Sequence, residues 1–118
     1  MVNHESWNQI VGPERIVAAA NIARILTQSR NAPDALLITD DNLVSDATRG
    51  LRAGGIRGPE QMDVVAWANF PCPPKAHVPV RFLGLDVPAF LAECVRVLRQ
   101  ARAGQETVPS IPLPLRFE

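Results

Sequence analysis

Two adjacent carboxylates, Asp40 and Asp41, stand where an apolar run, "ALLIT", gives way to a helical pattern. Trp67 and Asn69 lie at the end of a second apolar run, "DVVAWA", and supply an aromatic ring and an amide. The acid pair is the one position with a site-like context, because polar residues that end a buried strand can line a binding site, and Trp67 and Asn69 are expected near it at the end of a neighbouring strand. Adjacent side chains at a strand end usually point in different directions, which makes the two acids a poor general acid–base pair.

The remaining chemistry-bearing residues form no recognisable catalytic or metal-binding pattern. The sequence has no nucleophile elbow, no P-loop and no dinucleotide-binding glycine motif. His4 and His77 have no partner at ligand-like spacing, and Cys72 and Cys94 are too far apart for a metal knuckle. We therefore predict no catalytic residue, no metal, no cofactor and no enzymatic activity.

Composition excludes two further classes of function. Twelve basic residues balance 12 acidic ones over 118 residues, without the basic cluster that phosphate contacts require, so the chain itself is not expected to bind nucleic acid. Its apolar runs fall far short of the roughly 20 residues that span a bilayer. The first residues, "MVNHESWNQI", lack the features of a secretory signal. We expect a single domain in the cytoplasm, without a membrane contact.

Periodicity predicts alternating helices and strands. Helices are expected over 13–29, 43–53 and 87–102, the second capped by Asp41 or Asn42 and ended by Gly54-Gly55. Residues 35–39 and 63–68 are apolar on both faces, which is typical of buried parallel strands, and 35–39 is expected to be central. Extended segments are expected over 78–85 and in the proline-rich tail, and "VNHESW" is a candidate for a further strand. The predicted fold is an α/β three-layer sandwich, with helices on both faces of a mostly parallel sheet.

This fold would bring the candidate residues to one edge. In open α/β sheets, ligands bind beyond the carboxyl ends of the strands, where Asp40, Asp41, Trp67 and Asn69 are expected. Two interpretations remain open at this point. Asp41 caps the helix while Asp40 is a solvated turn residue, or the pair lines a binding site.

The stretch "PDALLITDDNLVSDATRGLRAGGIRGPEQMDVVAW", with the segments that follow it, resembles the C-terminal core of LacI/GalR-type transcription regulators. The resemblance covers roughly residues 33–118. It implies a lobe like those of periplasmic binding proteins, which grip a small-molecule effector between two such lobes. Residues 1–118 would form the C-terminal lobe, without the first lobe or the DNA-binding domain. In relatives, the helix matching 87–102 packs on the first lobe.

The resemblance also implies roles for individual residues. Asp40 and Asp41 match an Asn-Asp pair whose first member commonly contacts the effector, and Trp67 matches an aromatic residue. The acid that usually binds sugar hydroxyls is replaced by Ala68, with Asn69 as a possible substitute, and a glutamine is replaced by Leu85. We therefore expect either an effector that is sugar-like or less polar than a hexose, or a site that has drifted from the family's pattern.

Two expectations about assembly follow from the same resemblance. Such regulators commonly form homodimers through the helix at 42–53 and the loop after Trp67, which makes Leu43, Val44, Ala47 and Leu51 interface candidates, although at least two of them are expected to cover the sheet instead. Operator DNA would be bound only through a domain that this chain lacks. The alternative function is a fragment of a periplasmic substrate-binding protein from a transporter.

Overall fold

Three helices and four strands follow one another in the computed structural model, which describes residues 16–104 and 112–118, and two of the strands are consecutive. Gly55 has a positive φ of 102°, and it follows the second helix where the sequence predicted a left-handed stop. The elements are α1 (Ile16–Thr27), β1 (Ala35–Ile38), α2 (Asp41–Ala53), β2 (Asp63–Phe70), β3 (Arg81–Asp86), α3 (Val87–Arg102) and β4 (Arg116–Phe117).

The four strands form one sheet in the order β1-β2-β3-β4. β1 pairs with β2 and β2 with β3 in parallel, while β4 is antiparallel to β3. The crossover between β1 and β2 carries α2, as parallel pairing requires a long connection. The α/β class and the mostly parallel sheet are therefore confirmed.

One face of the sheet carries the core. Along β2 the residues at even positions are buried and those at odd positions are half-buried or exposed. α1 packs against α2, and α2 packs on β1 and β2. Each fully buried aliphatic side chain contributes about 1.5–3 kcal/mol to this association. The core consists of Ala19, Ala23, Ile38, Val44, Ala47, Leu51, Ile56, Met62, Val64, Ala66 and Val78.

The first strand has one neighbour in the described sheet. β1 pairs only with β2 there, and the expectation of a central strand over 35–39 stays a prediction, because residues 1–15 lie outside the described residues. Ile38 faces the core at 7% exposure, whereas Leu37 on the other face is 62% exposed. Within the described part of the chain, the apolar run thus has one buried face and one face that no other element covers.

Several boundaries shift by a few residues. α2 begins at Asp41 and not at 43, because the cap is Asp40 rather than Asp41 or Asn42. β2 continues past 68 to Phe70, since Asn69 and Phe70 pair with Leu85 and Asp86 of β3. The extended segment predicted over 78–85 becomes a strand only from Arg81. The start of the helix predicted over 13–29 and the "VNHESW" segment lie outside the described residues.

The third helix forms where predicted but is poorly covered. Its N-cap is Asp86, whose side chain accepts a hydrogen bond from the backbone N–H of Ala89, and a proline occupies the first turn. None of the residues of α3, all of which are described, is buried. Apolar side chains therefore lie exposed along it: Phe90, Leu91, Val95 and Leu98.

Candidate functional site

The carboxyl ends of β1, β2 and β3 lie side by side because these strands are parallel. Asp40 follows β1, Asn69 is the penultimate residue of β2, and Asp86 ends β3. We call these residues, together with Asp41 at the start of α2, the carboxyl edge. The residues predicted to contact a ligand, Asp40 after β1 and Asn69 in β2, thus lie at the same edge of the sheet.

Asp40 is the helix cap. Its Oδ1 accepts a hydrogen bond from the backbone N–H of Asn42 and another from the Asn42 side-chain amide, both at 3.0 Å. Its backbone is extended, with φ −119° and ψ 117°, as is typical of an N-cap residue. The interpretation in which Asp41 caps α2 is therefore wrong. Asp40 remains half-buried at the carboxyl edge.

Asp41 and Asn69 contact each other directly. The Asn69 side-chain amide donates to Asp41 Oδ2 at 2.6 Å, which joins the start of α2 to the end of β2. Asn69 is exposed and Asp41 is half-buried. Within residues 16–104 and 112–118, no second hydrogen bond to the Asp41 carboxylate occurs. The pair presents carboxylate and amide oxygens to solvent, a suitable set of acceptors for hydroxyl groups.

Trp67 lies further from the edge than the sequence suggested. Because β2 extends to Phe70, Trp67 falls inside the strand and pairs with Leu83 of β3. It is half-buried and shares the face of the sheet with Asn69, opposite the core. Ala68 is fully buried in the other face. A ligand at the carboxyl edge would meet the Trp67 ring only by extending along this second face.

Two residues at this edge escaped the sequence analysis. Asp86 Oδ2 lies 3.5 Å from a guanidinium nitrogen of Arg116, and the Arg116 guanidinium carbon lies 4.5 Å from the centroid of the Phe70 ring. Asp86 was detectable, since an aspartate before Val87-Pro88 is a helix-capping signal. Arg116 was not, because no local pattern indicates which strand its side chain crosses.

The predicted dimer residues lie mostly inside the fold. Val44 and Leu51 have no exposed surface and Ala47 is 7% exposed, since they pack against α1 and the sheet. This burial favours the expectation that at least two of these residues cover the sheet, and their assignment to a dimer interface stays a prediction. Leu43 is half-buried against the same core and is the member that keeps exposed surface.

An apolar cleft of about 120 Å³ lies elsewhere, between α1, β1 and α2. Ile22, Leu26 and Leu37 are among its lining residues, and its lining lacks carboxylates and amides. In the described ranges, no cluster of three or more histidine, cysteine or acidic side chains could hold a metal ion. No helix within them is both long and apolar enough to cross a membrane.

Comparison with known proteins gives a likeness of fold. No protein-family model matches the sequence, and no curated protein matches it. Two solved structures of a LacI family transcriptional regulator from Lactobacillus casei, one with bound sucrose and one with bound Tris, are similar in three dimensions at a TM-score of 0.67. The sequence identity is 18% in each case. The likeness shows the architecture, and it does not assign an activity.

These neighbours are much longer than the present chain. The superposition covers 92% of this chain but 43% and 44% of the two regulator chains. The chain thus spans less than half the length of the structures it resembles. Both neighbours are regulators, so they lend no support to the alternative of a transporter fragment.

Proposed function

We propose that the chain is one lobe of a two-lobed sensor that binds a small molecule at its carboxyl edge and regulates transcription. The observation that carries the proposal is the contact between Asp41 and Asn69, which groups hydrogen-bonding side chains from two elements at 2.6 Å on this edge. Ligands of open α/β sheets bind in this position. The match to regulators that hold sucrose or Tris supports the same conclusion.

The effector we propose is sugar-like or less polar than a hexose. Asp40, Asp41 and Asn69 provide acceptors for hydroxyl groups, and Trp67 provides an apolar ring on the neighbouring face. The buried Ala68 and half-buried Leu85 offer no hydrogen bond from their side chains. Such a site would hold fewer hydroxyl groups than one with a further acid at position 68.

The second lobe would meet α3. This helix exposes Phe90, Leu91, Val95 and Leu98, and contiguous apolar surface of this kind marks an interaction site. The neighbours contain more than half of their length beyond the matched part, which is enough for another lobe. In this proposal the full protein is a cytoplasmic homodimer that binds operator DNA through a separate domain, and ligand shifts its equilibrium toward a closed form.

Two-dimensional amide NMR of this chain tests the location of the site. At 12.9 kDa the chain suits residue-by-residue titration with sucrose, Tris and a panel of sugars, sugar acids and nucleosides. We expect shifts that concentrate at Asp40, Asp41 and Asn69, and that disappear in Asp41→Ala. Asp63→Ala is the matched control, because Asp63 is an acid at the opposite end of β2.

Three outcomes would contradict the proposal. The first is a lack of response to every member of the panel at millimolar concentration. The second is a set of shifts centred on the amino ends of the strands around Asp63, with the carboxyl edge unchanged. Equal binding by wild type and Asp41→Ala would remove this carboxylate from the site.

A further inference from the structure

Arg116 joins three elements of the sheet near the point where α3 begins. It lies on β4 opposite Gly84 of β3, and Gly84 in turn pairs with Ala68 of β2. A side chain at Gly84 would collide with the Ala68 carbonyl, since an added Cβ would lie 1.7 Å from that oxygen. Because Gly84 has no side chain, the Arg116 side chain crosses β3 and reaches Phe70 on β2.

The contacts of Arg116 hold its guanidinium from two sides. The planar group stacks over the buried Phe70 ring, at 4.5 Å from the centroid, in a cation–π geometry. One of its nitrogens lies 3.5 Å from Asp86 Oδ2, and it also pairs with Glu118. Asp86 uses its other oxygen to cap α3, through the backbone N–H of Ala89 at 3.1 Å.

The contact between Asp86 and Arg116 links the two chain segments that connect α3 to the sheet. The chain leaves the sheet at Asp86 and returns to it in β4, where Phe82 and Glu118 exchange backbone hydrogen bonds. α3 itself buries none of its described residues, so its own packing does little to fix its direction. The ion pair between Asp86 and Arg116 therefore connects the end of β3, where the chain leaves the sheet, to β4, where it re-enters the sheet.

We infer that Arg116 is a positioning residue that sets the orientation of α3 relative to the sheet. It acts through Asp86, the cap of the helix, and is held in place by Phe70. In the proposed function the second lobe packs on α3, so the same contact would set the angle between the two lobes when no ligand is bound. That last step rests on the proposed function, whereas the orientation of α3 does not.

Native cysteines allow a direct measurement. Cys72 lies in the turn after β2 and is exposed, while Cys94 lies in the middle of α3 and is half-buried. Spin labels on both report the distance between the sheet and the helix by pulsed electron paramagnetic resonance, without ligand. We expect one narrow distance distribution in the wild type, and a broader distribution with a second maximum in Arg116→Gln and in Asp86→Asn. Asparagine keeps the capping oxygen but loses the charge.

Arg81→Gln is the matched control. Arg81 also pairs with a carboxylate, Asp63, and lies over a ring, Phe117, at 5.5 Å, but it stands at the far end of β3 from α3. The inference is overturned if Arg116→Gln keeps the wild-type distribution, or if Arg81→Gln broadens it equally. Should Arg116→Gln fail to fold, Asp86→Asn decides by the same criterion. Failure of ligand binding in the NMR titration would leave this result unaffected, so the two hypotheses are tested separately.

Discussion

Replacement of Asp40 by alanine and by asparagine separates the helix cap from the proposed ligand contact. In the structure Asp40 Oδ1 accepts the Asn42 backbone N–H at 3.0 Å. Loss of such a cap to alanine costs about 1 kcal/mol. Loss of a negative charge beside a helix N-terminus costs about 0.5 kcal/mol more. Asparagine retains the accepting oxygen, so Asp40→Ala should lower the free energy of unfolding by about 1.5 kcal/mol and Asp40→Asn by about 0.5 kcal/mol.

Urea denaturation followed by far-UV circular dichroism measures this difference. The two variants should keep the wild-type dependence on denaturant and differ in midpoint, because the folded surface is unchanged. In thermal unfolding the difference of about 1 kcal/mol corresponds to about 4 °C for a domain of this size. The capping argument is refuted if asparagine destabilises the fold as much as alanine, or if alanine has no effect.

The same pair of variants reports on ligand binding. A hydrogen bond to a charged group contributes about 1.5–3 kcal/mol, so an effector that contacts the Asp40 carboxylate should bind Asp40→Asn about 10- to 150-fold more weakly. This loss would occur although stability is nearly retained. Asp34→Asn serves as control, because Asp34 is an exposed acid that precedes β1 at the opposite edge. Unchanged affinity in Asp40→Asn would restrict Asp40 to its capping role.

Two further predictions concern stability. Thr48 is fully buried, and its hydroxyl donates to the Val44 carbonyl at 2.6 Å and accepts from the His77 backbone N–H at 3.0 Å. Thr48→Val should cost about 1–3 kcal/mol in denaturant unfolding, because the His77 N–H loses its acceptor. A variant as stable as wild type would contradict this. On α3, the Arg96 guanidinium donates to Glu93 and lowers the pKa of that carboxyl below its usual value. The pair therefore stabilises the helix at pH values above the pKa that Glu93 has in the unfolded state. This stabilisation is lost as the pH falls through the lowered pKa of the folded state. Acid titration of α3 amide shifts should show this loss in wild type and not in Glu93→Gln, and identical titrations would argue against it.

The local elements were predictable because short-range chemistry determines them. Gly55 ends α2 through its positive φ, and Pro88 in the first turn of α3 removes an N–H that has no helical partner. The environment of each element was less accessible to prediction. Periodicity shows which faces are apolar but not whether another element covers them, so residues 35–39 were expected to be buried on both faces, whereas Leu37 is exposed among the described residues.

The candidate site divides in the same way. The contact between Asp41 and Asn69 follows from two strand ends that parallel pairing places side by side, and the sequence predicted both as rim residues. The position of Trp67 inside β2, and not at its end, was not predicted, because the strand continues two residues past 68 to pair with β3. The role of Arg116 was not predicted. Its contact with Phe70 depends on how β2 and β4 are aligned on either side of β3, and no local sequence pattern gives that register.

The lack of buried residues in α3 affects the thermodynamics of any association with this helix. Local opening free energies follow the density of buried contacts, so α3 should exchange its amide hydrogens well before α2 and β2 do. A surface that associates with α3 must therefore bear part of the entropic cost of ordering it. Affinity at this surface can then be adjusted by substitutions that change helix propensity alone, at positions that the partner never touches.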